Sequence, residues 1–169
     1  MRALILLPLC FAASCSEGSE PKKKTEAPAA KVTAGQWETA HEVTAIRSTD
    51  KTQPALKAAA GDKATGSTCI PAGGEAEPPP ELFAGPGYKC GYKSSYIRNG
   101  GITASLNCRR EGIAGDLMMT VEGSYTATTF EGTVSTTSYL PGRGDFEMSR
   151  KMTGRHVGAT CQAAEPKAG

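Results

Sequence analysis

From Gly35 to Met152 the larger apolar side chains recur at alternate positions in short runs, the period of a strand with one buried face. The first run opens at Gly35-Gln36-Trp37-Glu38 and continues through Ile46, with Trp37, Thr39, His41, Val43 and Ala45 on one face. In Tyr88–Ile97 one face carries Tyr88, Cys90, Tyr92, Ser94 and Tyr96; in Ile102–Arg109 it carries Ile102, Ala104, Leu106 and Cys108. Leu117, Met119 and Val121 mark a fourth strand, Phe130 and Val134 a fifth, and Phe146, Met148 and Met152 a sixth. Residues 115–139 are rich in Thr, Tyr and Val, as strands prefer.

Turn residues punctuate these runs. Arg98-Asn99-Gly100-Gly101 joins the second and third strands as a hairpin. If the turn centres on Asn99, Tyr96 faces Ile102, Tyr92 faces Leu106 and Cys90 faces Cys108. The apolar residues nearest the turn then meet, and the two thiols form a cross-strand pair; a slip by one residue puts the faces out of phase. Further turns fall at Glu111–Gly115, near Thr126–Thr129 and at Pro141–Asp145. Pro54–Ala60 reads as a short helix, with Pro as its first residue and Gly61 as its stop. Gly73–Gly87, including Pro78-Pro79-Pro80, reads as a loop with a turn of helix at Glu81–Ala84. The predicted fold is mainly all-β: about six antiparallel strands, mostly a meander, curled into a sheet or partial barrel around one core, with one short helix.

The segment ahead of these strands is patterned differently. Met1-Arg2 precedes an apolar run from Ala3 to Ala13 and then Ser14-Cys15, so residues 1–14 read as a secretory signal peptide. The run is far shorter than the roughly 20 residues that span a bilayer. Ala12-Ala13-Ser14-Cys15 resembles a bacterial lipobox, whose Cys is lipidated and becomes the mature N-terminus, although Ala12 stands where Leu is usual. Ordinary cleavage after Ser14 competes with that reading, but leaves Cys15 as an unpaired thiol in an oxidising compartment. Lipidation of Cys15 is the expectation, and acyl chains anchor the protein to a membrane. Ser16, rather than Asp, follows that Cys and by the usual sorting pattern favours the outer membrane, with the domain facing the periplasm. The remainder of residues 15–33 has almost no large apolar side chain and is expected to be a disordered tether. Lys22-Lys23-Lys24 either touches anionic headgroups or simply keeps that tether solvated. Residues 34–164 are then a single β-domain and 165–169 a disordered tail.

Charge adds an exclusion. Of 19 Lys/Arg and 17 Asp/Glu, five and three precede Val32, which leaves 14 of each. A formally neutral domain argues against nucleic acid as a partner.

Six cysteines stand at positions 10, 15, 69, 90, 108 and 161. Cys10 leaves with the signal peptide and Cys15 is taken by lipid. The other four allow three connectivities; the hairpin register selects Cys90–Cys108 and leaves Cys69–Cys161. No C-x₂-C pair or nearby His completes a zinc spacing, so neither a metal nor another cofactor is expected.

The set Gly35-x-Trp37-Glu38, Cys69-Ile70-Pro71, Cys90 before a Gly-Gly turn, Cys108, Thr-rich strands and Gly154-Arg155-x-x-Gly158-x-x-Cys161 is similar to the small secreted and lipid-anchored bacterial proteins grouped as domain of unknown function 3617. The resemblance covers Gly35 to Cys161. It implies an envelope location and the same four-cysteine framework, and it implies no activity.

Candidate chemistry is sparse. His41 and His156 are the only side chains that ordinarily titrate near neutral pH, and no nucleophile elbow, HExxH or phosphate-cradling loop surrounds them. Both read as ordinary strand residues. Met148, Met152 and His156 share a face, but successive members lie about 13 Å apart along a strand, too far to hold one metal ion. Arg143-Gly144-Asp145 is the tripeptide that integrins read; here it reads as turn chemistry. Tyr88, Tyr92 and Tyr96 remain the candidate ligand or partner face, against plain cross-strand packing. The leading expectation is an envelope lipoprotein whose β-module binds a small apolar ligand, a lipid or a protein without catalysis. The alternative is a structural or assembly accessory without a ligand pocket, and an unrecognised enzyme comes third.

Overall fold

The computed structural model describes residues 31–161. The expected signal peptide, Cys15, most of the expected tether and the tail expected at 165–169 lie outside the described residues. Seven antiparallel strands form one curled sheet: β1 (Gly35–Ser48), β2 (Lys63–Ile70), β3 (Tyr88–Arg98), β4 (Gly101–Arg110), β5 (Ile113–Tyr125), β6 (Thr129–Tyr139) and β7 (Phe146–Gly158). The order across the sheet is β2-β1-β7-β6-β5-β4-β3. The run from β3 to β7 is the expected meander; β7 then pairs with β1 and leaves β2 and β3 as the two edges. The sheet is a half-barrel, and its concave face holds the core.

Alternation places that core as the pattern requires. Ile102, Ala104, Leu106 and Cys108 of β4 and Leu117, Met119 and Val121 of β5 are all buried. Each Leu, Ile, Met or Val among them contributes roughly 1.5–3 kcal/mol on full burial. Trp37 stacks on Phe130 with ring centroids 5.7 Å apart, and Phe83 meets Phe130 edge-on at 5.5 Å. Phe130 lies directly over Gly154, where a Cβ would fall 2.1 Å from its ring, so the glycine of the Gly154-Arg155 motif makes room for an aromatic core. Val32 is buried and Thr33 bonds to the Ala127 carbonyl, so the folded unit begins ahead of Ala34.

Three expectations are corrected. A seventh strand, β2, was not legible: Lys63–Ile70 buries only Ile70 and forms an edge, so it needs no apolar alternation. Pro54–Ala60 is not helical. Seven residues are too few to repay helix nucleation without tertiary help. The segment instead donates from Ala55 N to the Gly144 carbonyl and packs Leu56 and Ala58 against the core. The one helix, α1, is the turn at Glu81–Ala84, with Leu82, Phe83 and Ala84 fully buried. It packs against both edge strands, β2 and β3, and closes the seam between them.

The hairpin register is the third. Asn99 and Gly100 both have positive φ, 55° and 76°, and form a two-residue turn of the kind that pairs Arg98 with Gly101. Near the turn Ile97 therefore faces Ile102 and Tyr96 faces Thr103. A bulge at Lys93 absorbs one residue, after which Tyr92 faces Leu106 and Cys90 faces Cys108 as expected. The structure bridges Cys90 to Cys108, with Cα atoms 4.1 Å apart, and Cys69 to Cys161, at 5.4 Å. The second bridge ties the edge strand β2 to the chain beyond β7.

Candidate functional site

The bulge at Lys93 separates the three tyrosines. Tyr88 points inward and is 5% exposed. Tyr92 is half-buried and donates its hydroxyl to the Pro78 carbonyl at 2.7 Å; burial, with Glu77 and Glu81 nearby, raises its pKa. Tyr96 is 49% exposed, on the other face, with the Arg98 guanidinium 3.8 Å from its ring centroid. Of the trio, only Tyr88 enters a site.

That site lies at the seam. β1 and β7 are paired so that Val43 faces Arg150 and His41 faces Met152. Strict alternation along β7 turns Phe146, Met148, Arg150 and Met152 inward. Arg150 is therefore held on an apolar face, 5% exposed. Its guanidinium carbon is 5.0 Å from the Tyr88 ring centroid, although β7 and β3 are four positions apart in the sheet, so it reaches across the hollow of the half-barrel. Nη1 donates to the Ala84 carbonyl at the end of α1, at 2.9 Å. Nη2 has only the Met119 thioether, at 3.7 Å, and Nε has no partner. Arg110, the cross-strand neighbour of Tyr88, places its own guanidinium 4.7 Å from the same ring. Among the described residues no carboxylate pairs with either arginine.

His41 completes the group. It is 3% exposed, and neither ring nitrogen has a partner. Its ring lies against Gly85, just after α1. Burial, reinforced by the Arg150 cation, lowers its pKa from 6.5 to about 4, so the imidazole is neutral at physiological pH. Burial likewise lowers the Arg150 pKa, opposed by Tyr88 and reinforced by Arg110. A buried guanidinium without a counter-ion and a buried imidazole without a hydrogen bond are both unfavourable unless something else meets them.

These residues line a cleft of about 380 Å³, within the usual size range of small-molecule sites. Its apolar lining comes from Val43, Leu56 and Met148 and its charged lining from Lys57, Lys63, Arg110 and Arg150 with one carboxylate, Asp62; Lys63 is already paired with Glu42, which is not part of the lining. A hollow of about 780 Å³ shares Gly87, Tyr88 and Arg110 with it. A separate cleft of about 760 Å³ on β2, β1 and β7 is lined by short side chains and the Glu38–Arg155 ion pair, so its charges are already matched. His156 is elsewhere, edge-on to Trp37 and bonded to the Ala34 carbonyl. Among the described residues no three His, Cys, Asp or Glu side chains cluster to hold a metal. The Arg143-Gly144-Asp145 loop is used internally: Gly144 and Asp145 donate to Asp50, and Asp145 accepts from Ser138 and Leu140.

Fold and site together define a small, disulfide-braced β half-barrel with a cationic, half-apolar cleft at its seam. The chain belongs to the family described as protein of unknown function (DUF3617), whose pattern matches residues 32–161. No curated protein and no solved structure matches it.

Proposed function

We propose that this protein is a lipid-anchored module of the bacterial cell envelope that binds a small amphipathic molecule in the cleft between β1, β7 and β3, without chemistry on it. The observation that carries the reading is a cleft of about 380 Å³ whose apolar wall stands beside two deeply buried polar side chains, His41 and Arg150, with nitrogens left unpartnered. Burying such groups without partners costs stability, and a bound ligand would offset that cost. The non-catalytic part of the reading is supported by His41 itself, a neutral imidazole with no hydroxyl, thiol or carboxylate bonded to it. The anchor rests on Ala12-Ala13-Ser14-Cys15 and the oxidised state on two disulfides. Native mass spectrometry of protein purified from its own envelope tests the binding function. A co-purifying mass that organic extraction removes is expected; a bare chain mass from every preparation would overturn it. Cys15→Ala should move the protein from the membrane to the soluble fraction, and unchanged membrane association would sink the anchor.

The accessory reading has one observation of its own: β2 and β3 are edge strands, each pairing with a single neighbour. A partner could add a strand there. It would leave binding indifferent to substitutions in the cleft.

A further inference from the structure

We infer that the ligand's polar end is a carboxylate, held between Arg150 and Arg110 beside Tyr88, with its apolar chain lying along Val43, Leu56 and Met148. This rests on the cleft being a binding site and adds which chemistry it selects. Two guanidinium groups approach one tyrosine ring, at 4.7 and 5.0 Å from its centroid, and among the described residues neither has a carboxylate partner. The site therefore carries excess positive charge in a partly dehydrated place, where an anion is favoured over a neutral or cationic head.

On Arg150 the donors that remain lie on one edge of the planar guanidinium. Nη1 of Arg150 is committed to the Ala84 carbonyl, which also fixes the guanidinium in place. Its other edge, Nε and Nη2, meets only a thioether, a weak acceptor. Two parallel N–H groups on one edge match the two oxygens of a carboxylate. The neutral His41 ring adds one N–H. Together with Arg110 at the rim, these donors satisfy both oxygens of a carboxylate. The structural explanation, in which Arg150 serves only to fasten α1 and β3 to β7, accounts for Nη1 and the Tyr88 contact. It does not account for the unpaired edge or for unpartnered His41.

The decisive experiment is isothermal titration calorimetry on the full chain bearing Cys15→Ala, which dispenses with detergent, using decanoate, decan-1-ol and decyl phosphate. Decanoate should bind about 10- to 100-fold tighter than decan-1-ol, the range expected for hydrogen bonds to charged groups. Arg150→Met should remove that preference while decan-1-ol still binds. Arg110→Gln, at a half-buried position on the rim, should weaken decanoate alone and provides the readout if the Arg150 variant does not fold. Equal affinity for decanoate and decan-1-ol would overturn the carboxylate assignment and leave the amphiphile cleft standing. Tighter binding of decyl phosphate would overturn it in favour of a phosphate head. If none of the three binds, both the assignment and the cleft's proposed function fall.

Discussion

Gly85 lies against the imidazole of His41: a Cβ on this glycine would stand 2.8 Å from Nε2. Gly85 also has φ 82° and ψ −179°, a conformation that essentially only glycine adopts. The end of α1 and the buried histidine are thus packed as one unit, with no slack between them. Gly85→Ala should cost about 3 kcal/mol or more, since backbone strain and overpacking add. Gly73 supplies the control, with φ 89° and nothing within 4 Å of an added Cβ. Gly73→Ala should cost only about 1–2 kcal/mol. In a His41→Ala background the Gly85→Ala cost should fall by about 1 kcal/mol, because only neighbours couple. Urea midpoints for the four variants check this; equal costs at Gly85 and Gly73 would dissolve the proposed packing.

Arg150 separates function from scaffold by the sign of a stability change. Its desolvation without a counter-ion costs several kcal/mol. Against that stand one hydrogen bond to a carbonyl, about 1–3 kcal/mol to leave unmade, and one cation–π contact of about 1–2 kcal/mol. Desolvation wins narrowly, so Arg150→Met should leave the ligand-free protein equally stable or more stable by about 1–2 kcal/mol. A loss of 2 kcal/mol or more in denaturant titrations would mark Arg150 as a structural fastener instead.

Most of the fold was legible because strands announce themselves by a period of two, and β4, β5 and β7 keep that period without interruption. What escaped lies where the period is broken or uninformative. β2 buries a single apolar residue and so leaves no pattern. Tyr96 was placed beside Tyr88 and Tyr92 because a bulge at Lys93 is silent in the sequence, and a turn centred half a residue further on is equally compatible with Asn99-Gly100. At Thr44 a second bulge turns Ala45 outward and brings Ile46 in. The candidate site was legible in part. Arg150 falls on the inward parity between Met148 and Met152, and a charge on an apolar face was the available signal. Arg110 and Leu56 could not have been grouped with it, since only the curl of the sheet and the non-helical run after Pro54 bring them to one cleft.

The two disulfides should differ in what they contribute. Chain-entropy estimates for loops with separations of 92 and 18 residues are about 4.6 and 3.2 kcal/mol. Cys90–Cys108 also lies within an already paired ladder, whereas Cys69–Cys161 ties an edge strand to the chain end. Paired replacement of Cys69 and Cys161 by Ala should therefore destabilise more than paired replacement of Cys90 and Cys108. Thermal melts of the two double variants decide, and the reverse ranking would contradict the loop-entropy account.

Acid should weaken the domain first through His41. Its folded pKa, about 4, is below the ordinary 6.5, so the unfolded chain binds a proton that the folded one refuses. Stability therefore rises with pH across that interval and is lost as pH falls from about 6.5 to about 4, by about 3 kcal/mol in total. Asp50 contributes in a different window. Hydrogen bonds from Thr52, then from Gly144 and Ser48, hold its carboxyl well below the usual range. Its contribution is complete above the ordinary carboxylate value near 4 and is lost only as pH falls below that. The two effects are separable by substitution. His41→Leu, which is close in volume and cannot ionise, should flatten the change in urea midpoint between pH 7 and pH 4.5 while leaving the steeper loss below pH 4. An unchanged slope between pH 7 and pH 4.5 in that variant would show that His41 is not the buried neutral group assigned to the cleft.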